Sequence, residues 1–203
     1  MKYYFFILLL FSAVFVKGQN SLNNDAGERA YYDHYDFEWH ISADNSDLDI
    51  DYSSSLGLGV SDSIISITIQ PDASPYRIFW YCAISNKSNN PVTVKWMKSK
   101  FDRDRIVLGE MNFFQISQSI PDDIIYPDDF LGKEITSVSN ANTRFSPVMT
   151  SDVKKRYNKT KQPQHVHIPI IICIEYQGVE RLYRFTYNGI YNGKRPKEKK
   201  NKR

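Results

Sequence analysis

Apolar residues recur at every second position along much of this 203-residue chain. Ile65, Ile67 and Ile69 fall on one side of an extended backbone, and Ser66, Thr68 and Gln70 on the other. Val92, Val94 and Trp96 alternate with Thr93, Lys95 and Met97 in the same way, as do Tyr183, Phe185 and Tyr187 with Leu182, Arg184 and Thr186. A repeat of two is the signature of a half-buried strand. The β-branched and aromatic residues that fill these runs suit a pleated surface. Two runs, Ile78 to Ile84 and Ile168 to Ile174, are apolar on nearly both sides and read as central strands. Beyond residue 18, no helical period longer than about two turns stands out against a usual helix of about 11 residues.

Eight strands follow, near 31–41, 48–52, 58–70, 77–86, 91–97, 106–116, 165–176 and 180–188. Asn86 to Pro91 reads as a hairpin-like loop and Gln177-Gly178 as a tight turn. The expected fold is all-β, an antiparallel β-sandwich. The stretch 117–164 reads as long irregular loops, with one short strand near Ile135. Within it, Pro121-Asp122-Asp123 and Pro127-Asp128-Asp129 suit the first turns of two short helices, where Pro loses no needed N–H and carboxylates meet the positive end. Their four carboxylates are also a candidate seat for a hard cation.

The first eighteen residues set the expected address. Met1 to Gly18 carry Lys2, an apolar run from Tyr3 to Val16, then Lys17 and Gly18. A run of fourteen positions suits a signal-peptide core, whereas a spanning helix needs ~20. Cleavage after Gly18 gives a secreted or periplasmic protein, with 19–193 as a single domain and 194–203 as a disordered basic tail. Removing the leader also changes the charge. The body, 19–193, holds 17 basic and 22 acidic residues, a net of −5, while the run from Lys194 to Arg203 is net +6. An acidic body lacks the basic face of a nucleic-acid binder. The basic run reads as a solvated end, with weak attraction to an anionic envelope surface as its functional alternative.

Few residues offer chemistry. Asp47, Asp49 and Asp51 have the spacing that opens a calcium loop, but Tyr52 stands where Gly is required and Leu58 where Glu is. His165 and His167 share one strand face, and His34 or His40 could complete a metal site there. The opposite face, Val166 through Ile174, is wholly apolar, so the two imidazoles point outward. The same parity sets Cys173 opposite the most apolar face of its own strand, while Cys82 sits among Ile78, Trp80 and Ile84. Parity therefore favours two buried free thiols over a Cys82–Cys173 disulfide, the alternative that export permits. A bulge at Pro169, which cannot donate to the ladder, would reopen that choice.

Trp39 is the aromatic outside core register and the candidate sugar-binding platform. Asn86-Lys87-Ser88 and Asn158-Lys159-Thr160 match the N-glycosylation pattern. The order Cys82, Trp96, Cys173 resembles the Cys–Trp–Cys order of immunoglobulin domains, with Ile171 in place of the Tyr two positions before the second Cys. That resemblance implies a two-sheet sandwich and nothing about activity. No nucleophile elbow and no phosphate-cradling glycine loop occurs. The sequence reads as a non-catalytic, monomeric envelope or extracellular binding or structural protein without cofactor, its partner a protein or a glycan and not nucleic acid. A carboxylate-dependent glycan hydrolase and a His-based metal binder are the alternatives.

Overall fold

The structure is a computed structural model and describes residues 28–32, 35–45, 47–51, 58–71, 78–110, 119–144, 146, 148 and 151–193. The leader, the basic run 194–203, His34 and Tyr52 lie outside these residues. Thirteen strands make one antiparallel sheet. They are β1 Glu28–Tyr32, β2 Tyr35–Ala43, β3 Asp49–Asp51, β4 Leu58–Ser61, β5 Ile65–Gln70, β6 Trp80–Asn86 and β7 Val92–Val94. Then come β8 Lys100–Phe101, β9 Asp104–Leu108, β10 Asp123–Ile125, β11 Phe130–Ser137, β12 Gln164–Tyr176 and β13 Val179–Gly193. The order across the sheet is β1-β2-β13-β12-β8-β9-β11-β6-β5-β4-β3, with β7 branching from β12 and β10 from β7. The all-β, antiparallel expectation is met. The sheet is nearly closed, with β2 coming alongside β3 and β4.

The core lies inside this nearly closed sheet, between one arm holding β2, β13, β12 and β7 and another holding β11, β6, β5 and β4, and aromatic residues cross it. The ring of Trp80 on β6 meets Trp39 on β2, Phe101 on β8 and Tyr187 on β13 edge-on, at centroid distances of 5.5, 5.2 and 5.7 Å. Edge-to-face pairs add about 0.5–1.5 kcal/mol each beyond their buried area. Tyr187 is fully buried, and its hydroxyl reaches the carbonyls of Leu58 and Ile69, a paired couple on β4 and β5. That hydroxyl ties the two arms together. Tyr183 does the same four residues earlier on β13, donating to Asp62 Oδ2 at 2.9 Å. Burial first, and then this acidic partner, push the Tyr183 phenol well above its usual range.

Trp39 corrects the sequence reading most clearly. It is 1% exposed, so it is a core residue and offers no surface platform. Its ring lies over Gly189, its cross-strand partner on β13, and a Cβ there would stand 2.6 Å from Trp39 Cζ3. The glycine leaves room for the indole.

Several other expectations change. Asn86 to Pro91 is a crossover between arms: β6 pairs with β5 and β11, while β7 pairs with β10 and β12. The expected strand 58–70 is the hairpin β4–β5, whose turn is held by Asp62 Oδ1 accepting from the Ile64 and Ile65 N–H groups. Trp96 is buried as expected, but in a 3-10 turn, Trp96–Lys98, rather than on a strand. Pro169 causes no bulge, since β12 and β13 pair without a shift through thirteen residues of β12. Inward and outward sides therefore alternate as parity requires. Cys82 and Cys173 are both buried and free. The Cys–Trp–Cys order is thus not a bridged pair packed on a strand tryptophan.

The segment 117–164 holds more order than long loops. It contains β10, β11 and two helices, α1 Val138–Thr143 and α2 Ser151–Thr160. β11 lies between β9 and β6 inside the sheet. α1 is capped by Ser137, whose hydroxyl accepts from the Asn140 N–H at 3.2 Å. α2 presents Val153 and Tyr157, four residues apart, to the core, where Tyr157 packs 5.0 Å from the Tyr191 ring.

Candidate functional site

The expected Pro-Asp-Asp helices are absent, and a short strand and a turn take their place. Asp123 to Ile125 form β10, and Tyr126-Pro127-Asp128-Asp129 form a turn closed by the Asp129 N–H donating to the Tyr126 carbonyl at 3.1 Å. Asp128 has φ 60°, so Pro sits at the second turn position and a left-handed residue at the third, the pattern of a type II turn. The chain then enters β11 at Phe130.

Asn86 anchors this corner from below. Its side chain is buried and donates to the Asn90 and Ile125 carbonyls at 2.8 and 3.0 Å. Its Oδ1 accepts from the Ser88 N–H and hydroxyl at 2.9 and 2.8 Å. The Asn86 N–H donates to the Asp129 carbonyl at 3.0 Å. The amide of this glycosylation pattern is therefore consumed by the fold, whereas Asn158 stands exposed on α2.

Three large apolar side chains point outward from the corner. Ile124 is 58% exposed, Tyr126 61% and Phe130 63%; among the described residues the other large apolar side chains left exposed are Val179 and Met97, on other elements. β10 is an outer strand of its branch. Among the described residues its neighbour is β7, and its other edge has no strand. Carboxylates lie on the same stretch of chain and on the strands beside it. Lys95 Nζ bridges Asp122 Oδ2 and Glu175 Oε2, each at 3.0 Å. Asp123 accepts from Trp96 Nε1 at 2.7 Å, and Lys98 pairs with Glu180. Asp128 and Asp129 have no ion-pair partner among the described residues; Asp129 Oδ1 accepts the Phe130 N–H at 2.8 Å.

The sequence-predicted sites are not assembled in this way. His165 and His167 are exposed on β12, as parity requires. His167 Nδ1 lies 2.6 Å from Asn188 Oδ1 on β13, and His40 on β2 faces the far side of that same asparagine. His40 instead pairs with Glu38, Nε2 to Oε1 3.2 Å. A whole strand separates the two histidine positions. Among the described residues no three His, Cys, Asp or Glu side chains come together as a metal site, and this includes Asp47, Asp49 and the Asp122–Asp129 acids; the side chain of Asp51 lies outside those described.

A shallow hollow of about 290 Å³ lies where β9 ends beside β11, lined by Gly109, Glu110, Gly132, Lys133 and Glu134. It gathers two carboxylates, but Glu110 is neutralised by Lys133 at 2.6 Å and stands open to solvent. Glu110 and Glu134 are both exposed, without the burial that raises the pKa of a carboxylic acid in an apolar pocket. Burial pushes the Cys82 thiol up to about 12 and also raises Cys173, which disfavours the thiolate a nucleophile or metal ligand needs. Sequence reasoning missed Ile124, Tyr126 and Phe130 because Pro followed by two acids was read as a helix start. The usable signal was Pro127-Asp128 between two β-rich stretches, since Asp tolerates the left-handed region a type II turn demands. No family model, curated protein or solved structure matches the chain.

Proposed function

We propose that this is an exported, non-catalytic binding protein of the cell envelope or extracellular space, and that the β10–β11 corner is its binding surface. The leader-like Met1 to Gly18 supports export. The observation behind the binding role is the exposed set Ile124, Tyr126 and Phe130 beside an unpaired strand edge. Large apolar patches on soluble proteins mark interaction sites. An aromatic side chain presents about 150–250 Å², so covering the exposed three-fifths of Tyr126 or Phe130 is worth ~3 kcal/mol each at ~25 cal/mol/Å². Two such anchors account for a useful share of a micromolar affinity of about 8 kcal/mol.

The test compares the wild type with Ile124→Ser/Tyr126→Ser/Phe130→Ser on glycan and peptide arrays, alongside turnover assays on any bound glycan. Because the three side chains are exposed, the variant should keep the wild-type melting temperature. Ligands bound by the wild type should be lost by the variant, without turnover. Identical binding profiles for the two proteins, or turnover that survives the substitutions, would overturn the reading.

A further inference from the structure

We propose that the corner accepts an extended, basic segment of a partner polypeptide as an added strand on β10; this deepens, and rests on, the reading that the corner is the binding surface. The backbone points to a strand. Asp123 to Ile125 pair with Val94 to Val92 on one edge, and among the described residues the other edge has no strand. An unpaired edge is the template used in strand addition, where main-chain hydrogen bonds give affinity and alternate side chains give specificity. Ile124 and Tyr126 lie two residues apart and both are exposed, so apolar side chains at alternate positions of an added strand would meet them.

Charge selects the occupant. From residue 119 to residue 132 the chain has four carboxylates, Asp122, Asp123, Asp128 and Asp129, and no Lys or Arg. The partners already in place reach Asp122 and Asp123 but not Asp128 or Asp129. A second copy docked edge to edge would bring four more carboxylates to the same seam, and like charges facing one another across strands repel. A basic strand neutralises the seam instead.

The chain's own basic run is a poor occupant. It follows Gly193, whereas the corner adjoins the opposite end of β13, fifteen strand residues away. That is ~50 Å at ~3.3 Å per residue, against at most ~36 Å for ten extended residues. The run also lacks apolar side chains other than Pro196 to cover Ile124 and Tyr126. The geometry and charge therefore favour a partner with alternating basic and apolar residues.

The test uses three synthetic heptapeptides read by calorimetry at low salt: one alternating lysine and valine, its glutamate–valine twin, and the lysine–valine peptide N-methylated at alternate backbone nitrogens. The lysine–valine peptide should bind at least tenfold tighter than either of the others. Its affinity should fall at least tenfold in Ile124→Ser/Tyr126→Ser/Phe130→Ser. It should fall about threefold in Asp128→Asn/Asp129→Asn, with a weaker dependence on salt. Equal binding of the glutamate–valine twin overturns the basic partner but leaves the corner intact. Equal binding of the N-methylated peptide overturns strand addition. Binding of the lysine–valine peptide that the serine variant retains in full overturns the corner itself. Failure of every peptide overturns the strand partner, and the arrays described above then decide the corner on their own.

Discussion

Replacing Asn86 probes the link between the core and the candidate surface. Its side chain makes four hydrogen bonds, two donated to the Asn90 and Ile125 carbonyls and two accepted from Ser88. A buried hydrogen bond contributes about 1 kcal/mol net, and a polar group left unpaired costs ~1–3 kcal/mol. Asn86→Ala should therefore destabilise the protein by ~3–4 kcal/mol, most of it from the stranded Ile125 carbonyl and Ser88 N–H. With a urea dependence of ~2–3 kcal/mol/M, the unfolding midpoint should drop by roughly 1.5 M. Intrinsic fluorescence follows this well, because Trp39, Trp80 and Trp96 are all buried. Asn86→Asp keeps the shape but points carboxylate oxygens at two carbonyls, so it should cost at least as much as Ala. Ser88→Ala removes a hydroxyl and should cost about 1 kcal/mol. A midpoint shift under about 0.4 M for Asn86→Ala, or an Asp variant milder than the Ala variant, would refute the assignment of Asn86 as the anchor of the corner.

Three further outcomes are expected. Cys82 should resist iodoacetamide in the native protein at pH 8 and react once urea unfolds it. Its thiol is held up to about 12 against an ordinary 9.0, so the unfolded chain ionises first. Between those values stability should fall by about 1.4 kcal/mol per pH unit, and Cys82→Ala should make that alkaline loss shallower by a similar slope. Gly189→Ala should cost ~1–3 kcal/mol, because its Cβ would displace the Trp39 ring, with the loss read as a lower urea midpoint. If Met1 to Gly18 is a cleaved leader, the exported protein should begin at Gln19 by N-terminal sequencing, and a product that retains the apolar run would count against export by this route.

What could be read from the sequence followed from periodicity. The alternation around Cys82 and Ile172 placed β6 and β12 within a few residues of their observed bounds, because burial on one face leaves a repeat of two; around Phe185 it found the start of β13 but stopped five residues short of its end, and around Ile67 it ran the β4–β5 hairpin together as one strand. Parity also put the β12 histidines on the exposed side, since no bulge interrupts β12, and the two thiols are buried and free as expected. Short elements escaped. The β8–β9 turn uses Asp102 and Arg103 at φ 51° and 67° with no glycine to announce it. α2 has only Val153 and Tyr157 as a buried stripe, too thin for a helical period to register. Trp39 was misplaced because its neighbours Glu38 and His40 are polar, and that same pattern is what an alternating strand with a buried tryptophan produces. The corner was hidden by Pro-Asp-Asp, which serves a helix start and a type II turn equally well, and only the pairing of β10 with β7 separates the two.

Hydrogen exchange across residues 119–132, with and without saturating lysine–valine peptide, tests the central claim most directly. The account predicts slowed exchange confined to Asp123 through Phe130, absent in Ile124→Ser/Tyr126→Ser/Phe130→Ser. Unchanged exchange at this corner with the peptide bound, or protection located on another face of the sheet, would contradict it.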